Sequence, residues 1–257
     1  MTRRRWLALL SAGLLAGCTT LSPTPPVTPL PSDEAFAWRS VLQEAVDEQG
    51  RIDFRRIAAN RGALEIAVAS VGATAPNNQP GLFPTRPDQL AFHINAYNAL
   101  AMYSVVRSGI PERLSSLDRV DFFRLTRVVV GGQPISLRTY ANDLIRDSGD
   151  ERVHFALSCM AVSCPRLSRT PFTAAGLEAE LDGAARRFFA EPRNVQVDPV
   201  RQVVRLSSIL DLQVNDFLRR APSLVAYANR YRSSTIPTDY AAEFIPFYWT
   251  INAQQRP

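Results

Sequence analysis

Two histidines and three cysteines supply all the imidazole and thiol in this chain: His93, His154, Cys18, Cys159 and Cys164. There is no lysine, which excludes a Schiff-base nucleophile or an amine general base. His154, Cys159 and Cys164 fall in one run, Val153 to Leu167, that also holds Ser158 and Ser163. A thiolate at Cys159 or Cys164 would attack a carbonyl carbon after His154 had taken its proton, and an amide from Asn95 or Asn98 would orient the ring or polarise the acyl oxygen. That is the chemistry of a cysteine-dependent acyltransferase or hydrolase acting on an amide or ester. The same sulfurs also suit a structural disulfide, provided that Met160–Ser163 turns tightly enough to bring the Cα atoms within about 4.4–6.8 Å. Two buried, inert thiols are the third reading. Zinc wants three or four ligands, and the supply is too small, so neither a metal nor another cofactor is expected.

A second group lies in Phe92-His93-Ile94-Asn95-Ala96-Tyr97-Asn98-Ala99-Leu100. On a helix His93 and Tyr97 share a face, while Asn95, Asn98 and Met102 lie on another. Asparagine is a poor interior helix residue because its amide competes for backbone hydrogen bonds. Two in one turn point either to the tying of a neighbouring backbone or to ligand contact, which makes His93, Asn95, Tyr97 and Asn98 the candidate binding residues. Asp211, Asn215 and Asp216 could line the same cleft but read better as a solvated helix face, and the Tyr248-Trp249 pair reads as core.

The elements that must position these groups follow from patterning. Ser32 caps a helix that ends at Gly50, Arg55–Val71 and Pro87–Val106 are further helices, and Thr139–Arg146 is a short one. Val153–Leu157 alternates and β-branches enough for a strand. Ala174–Phe189, Ile209–Leu218 and Pro222–Tyr231 are helical. Hairpins span Val128–Ile135, with Gly131-Gly132 in the turn, and Val195–Leu206, with Asp198-Pro199 in the turn. Phe244–Asn252 is extended. Helices dominate and the strands fall in hairpins, so the expected fold is α+β: a mostly helical single domain with β-hairpins and a small antiparallel or mixed sheet.

Residues 1–18 carry an address. Arg3-Arg4-Arg5 precedes an apolar run, Trp6–Leu15, too short to span a bilayer, and Leu15-Ala16-Gly17 stands before Cys18. The stretch resembles a bacterial lipoprotein signal, which implies that 1–17 is removed and that Cys18 is lipidated. Residues 18–33 hold five prolines among Thr and Ser and read as a tether, leaving 34–257 as the globular domain. Thr19 follows Cys18, where lipoproteins kept in the inner membrane often have Asp, so the resemblance implies the outer membrane, facing the periplasm. The formal net charge is +5, three of it from the signal arginines, which is too weak to argue for nucleic acid. The expected partners are the membrane, through the lipid, and an unidentified peptide, glycan or protein.

The Phe92–Leu100 helix, the Val153–Leu167 run and Tyr248-Trp249-Thr250-Ile251-Asn252 together resemble the family catalogued as domain of unknown function 547. The resemblance extends over roughly Asp53–Asn252. Its members carry Trp where His93 stands, and an Ile-Glu-His-x-x-Leu-Arg helix where this chain reads Tyr140-Ala141-Asn142-Asp143-Leu144-Ile145-Arg146. Ala141 and Asn142 thus replace an acid and an imidazole. That substitution favours a lipid-anchored binding or assembly module for an envelope component over the cysteine-dependent enzyme.

Overall fold

The longest helix starts from a reciprocal cap. In a computed structural model that describes Leu21 and residues 31–255, the Thr85 side chain accepts from the Asp88 N–H and the Asp88 carboxylate accepts from the Thr85 N–H, opening α4 (Arg86–Arg107). From Ile94 onward nearly every α4 side chain is buried except Asn95, so α4 is the central rod of the molecule. Against it pack α2 (Phe54–Ala59) and α3 (Gly62–Ala73), and α1 (Pro31–Ala45) lies on α3 and reaches α4 through Trp38, whose indole N–H donates to Asn95. The expected single helix over Arg55–Val71 is broken: Asn60 leaves helical geometry at φ −138° and its N–H closes α2 on the Arg56 carbonyl at 3.1 Å. The expected signal segment 1–17, Cys18 and most of the expected tether lie outside the described residues. Leu21 is described, and it is not free: its N–H donates to the Arg127 carbonyl at 2.7 Å.

α5 (Ser116–Val120) runs straight into a π-helical turn, Asp121–Leu125, and then into the hairpin β1 (Arg127–Val130) and β2 (Gln133–Ser136). Gly131 and Gly132 both take positive φ, +53° and +79°, as a two-residue hairpin turn of this hand requires. α6 (Leu137–Thr139) continues into a second π turn, Tyr140–Ile145, and a 3-10 turn, Arg146–Ser148. The strand expected over Val153–Leu157 is instead a 3-10 helix, Glu151–Phe155, started by Asp150, whose side chain accepts from the Arg152 N–H. A capping acid after left-handed Gly149 (φ +75°) sets a turn there, and this local start overrides the β-branched Val153.

The second half holds α7 (Leu177–Ala190), then β3 (Val195–Asp198) and β4 (Val203–Ser207) as an antiparallel hairpin. Its Asp198 carboxylate accepts from the Val200 and Arg201 N–H groups, giving the turn its Asx geometry. The expected Ile209–Leu218 helix is two short ones, α8 (Ser208–Leu212) and α9 (Val214–Leu218), followed by α10 (Leu224–Asn229). β5 (Ala241–Ile245) joins β4 in parallel. The α+β expectation is therefore borne out: ten α-helices among the described residues, one two-stranded antiparallel sheet and one three-stranded mixed sheet. One continuous apolar core, from Ala37 to Ile251, holds them together. No described helix is long and apolar enough to cross a membrane.

Candidate functional site

The 3-10 geometry of Glu151–Phe155 decides what His154 can meet. Side chains three apart eclipse in such a helix, so Glu151 and His154 leave on one side. Both are buried, at 8 % and 9 % exposure, which is costly for ionisable groups without partners. His154 finds Asp216, on α9, with Nε2 2.7 Å from Oδ2. The same oxygen accepts from Arg146 at 2.7 and 3.1 Å, and Oδ1 accepts from Arg219 at 2.7 Å. Glu151 accepts from Arg220 Nε at 2.9 Å and from the Tyr227 hydroxyl at 3.1 Å.

Burial pushes the His154 pKa down, and that outweighs the upward pull of the Asp216 bond and charge. The ring is then neutral at pH 7 and donates Nε2–H to a carboxylate whose charge is balanced by two arginines. Burial pushes Asp216 the other way, but the hydrogen bonds from His154 and Arg146, together with the Arg146 charge and the Arg219 bond, hold it at about 2. Asp216 was expected on a solvated surface; it is 7 % exposed and is the hub of the cluster. Sequence spacing missed it because an exposed and a buried carboxylate look alike on a five-residue helix. The usable signal was Asn142, where the resemblance implies a histidine: Arg146 lies beside it, its Nη1 donating to the Asn142 Oδ1 at 3.4 Å. The π turn carrying Asn142 is a geometry frequent at functional sites.

Next to the cluster opens a groove of about 560 Å³ lined by Ser148, Gly149, Asp150, Arg152, Arg220 and Tyr231, with Glu151 in its wall. Arg152 is bonded there by Asp150 at 2.6 Å, Glu178 at 2.6 Å and Asp182 at 2.8 Å. The lining alternates carboxylates and guanidiniums, which suits a ligand with both donors and acceptors rather than an apolar one.

Cys159 and Cys164 are bonded to each other, with Cα atoms 5.6 Å apart. The tight turn that this needs is present: the Cys164 N–H donates to the Ala161 carbonyl at 3.0 Å, and Met160 sits at φ +64°. Neither sulfur is a free thiol, and no hydrogen bond among the described residues joins His154 to either. The chain's far end holds the loop in place. Val162 N–H donates to the Thr250 carbonyl at 2.8 Å, and Asn252 N–H to that of Met160 at 2.9 Å.

The α4 amides bind backbone. Asn98 donates to the Ala156 carbonyl at 3.0 Å and accepts from the Ser158 N–H at 2.8 Å, fixing the passage from the His154 turn to the disulfide. Asn95 does the same for Phe172, at 2.8 and 3.0 Å. His93 and Tyr97 both face Tyr140: His93 Nδ1 lies 2.9 Å from its hydroxyl, and the Tyr97 and Tyr140 ring centres are 6.4 Å apart. None of these four lines the groove. Tyr248 corrects another expectation, since it is 57 % exposed, not core. It stands on the segment after β5, whose partners are too few to cover both faces. Among the described residues no three His, Cys, Asp or Glu groups stand where they could hold a metal ion.

Burial lowers the His93 imidazole to about 4. The unfolded chain, with His near 6.5, therefore binds more protons between about pH 6.5 and 4, and stability must fall as pH drops through that window. His93→Gln is expected to flatten the fall, read from urea midpoints between neutral and mildly acid pH; a slope left over belongs to His154, whose shift has the same sign, and toward pH 4 to carboxyls held down in the folded chain such as Asp150 and Asp216.

Residues 83–189 match the model of the family described as protein of unknown function, DUF547. The match takes in α4, both π turns, the His154 turn and the disulfide loop, and it ends within α7; it is shorter than the Asp53–Asn252 span of the motif resemblance. No curated protein and no solved structure matches the chain.

Proposed function

We infer that this is a lipid-anchored envelope protein facing the periplasm from the outer membrane, and that it works as a binding or assembly module for an envelope component. The observation that carries the reading is the Cys159–Cys164 bond. A disulfide belongs to an oxidising compartment, which agrees with the export implied by Arg3-Arg4-Arg5 and by Leu15-Ala16-Gly17-Cys18. It also removes the thiolate that an acyltransferase or hydrolase would need, since only the free thiolate attacks. What is left near His154 is a rigid, fully paired charge cluster bordering a polar groove, an arrangement suited to holding a peptide or glycan.

The test is a thiol count on the mature protein made with periplasmic export. The chain is denatured, alkylated with and without prior reduction, and weighed. Cys159 and Cys164 protected until reduction is the expected result. Alkylation of both without reductant would overturn the reading and bring the cysteine nucleophile forward.

A further inference from the structure

Between the last turn of α4 and β1 the chain exposes apolar side chains that no described residue covers. Leu117 is 82 % exposed, Val120 41 % and Leu125 47 %, all on the continuous stretch formed by α5 and its π turn. Phe122, on the other side of that stretch, is buried in the core, so the outward residues are a true second face. Beside them is an aromatic corner. Phe123 meets Trp249 edge-on at 5.8 Å, Phe247 lies 4.5 Å from the same indole, and the Arg119 guanidinium sits 4.8 Å over it. Tyr248 projects from this corner, while Arg113 and Arg124 are exposed on the helical segment and its approach. Leucines beside Trp, Tyr and Arg are the side chains that settle at the boundary between headgroups and acyl chains.

What points to the occupant is the attachment of Leu21. Its N–H is held by Arg127, two residues beyond Leu125, and its side chain packs half-buried against the core. Cys18 is three residues earlier, so covalent geometry allows at most about 10 Å between it and Leu21. A lipid on Cys18 must enter the bilayer within that reach of β1, and the domain cannot stand off on a long tether.

We propose that α5, its π turn and the Phe247–Trp249 corner are the membrane-contacting face of the domain, lying on the phospholipid surface that holds the Cys18 lipid. The proposal rests on the lipid-anchor reading. Its test uses the full mature chain extracted from membranes and reconstituted into phosphatidylethanolamine–phosphatidylglycerol vesicles with brominated acyl chains. Trp38 is buried, so Trp38→Phe leaves Trp249 as the reporting indole of the mature chain, and Trp249→Phe is the converse control. Bromolipid is expected to quench Trp249 emission, and Leu117→Asp with Leu125→Asp to remove that quenching while the chain stays vesicle-bound. Both leucines are exposed, so the paired change leaves the core untouched.

Unquenched Trp249 in a chain whose intact mass includes acyl groups would overturn the proposal alone. An intact mass without them would overturn the anchor reading and the proposal together. A dimer in detergent that Leu117→Asp dissociates, with no quenching in vesicles, would assign the face to a second copy instead.

Discussion

Asp216→Ala should lower the free energy of unfolding by about 3 kcal/mol, the size expected when one partner of a buried pair is removed and the other stays behind. The carboxylate takes hydrogen bonds from His154, Arg146 and Arg219 at 2.7 Å each. Arg146 and Arg219 have side chains 30 % and 64 % exposed and recover part of their hydration, so the loss falls mainly on the His154 N–H. Asp216→Asn keeps an acceptor and should cost less than half as much. The effect also has a pH signature. Because the folded carboxyl is held at about 2, the unfolded chain with Asp near 3.9 binds more protons in between, and stability rises with pH there. The contribution is complete above about pH 4 and disappears as pH falls toward 2. Urea unfolding of wild type and variant at neutral pH and near pH 2.5 checks both; a difference that does not shrink in acid would mean that packing, not charge, sets the loss.

Phe155→Ala is expected to cost more, about 4 kcal/mol, as for large-to-small changes of a fully buried aromatic. Phe155 is 1 % exposed, and its ring lies 4.7 Å from that of Phe188, 5.1 Å from Phe189 and 5.6 Å from Phe217. These contacts pin the turn that carries His154, and Phe217 itself stacks edge-on against the His154 ring at 5.4 Å. The urea midpoint should fall with little change in the slope of the transition. A loss below about 1 kcal/mol would mean that the Glu151–Phe155 turn is not seated in this cluster.

The sequence was most legible where a local rule governs. Gly131 with Gly132 and Asp198 with Pro199 each specify backbone geometry through neighbours a few residues away, and both hairpins stand where those signals put them; α4 covers the Pro87–Val106 stretch that patterning marked as helical. The motifs around Asn98 and Cys164 likewise marked the part of the chain that the DUF547 match covers. Legibility failed where apolar content was read without its context. Val153 and Phe155 suggested a strand, but Asp150 nucleated a 3-10 turn and the aromatic core accepted it. Tyr248 looked like core because it is aromatic, although the segment carrying it lies across the surface.

By itself the sequence determined the α+β class, the central helix and the short inventory of groups able to do chemistry. Only the tertiary structure decided their pairing. His154 meets Asp216 across 62 residues, Asn98 meets Ser158 across 60, and Asn252 meets Gly50 across 202. Contacts at such separations depend on how whole elements pack, because burial forces each polar group to a partner that no nearby residue supplies. The two sulfurs were close enough in sequence for a bond or for a catalytic thiol. It was the turn at Met160, clamped by the C-terminal segment, that brought them together.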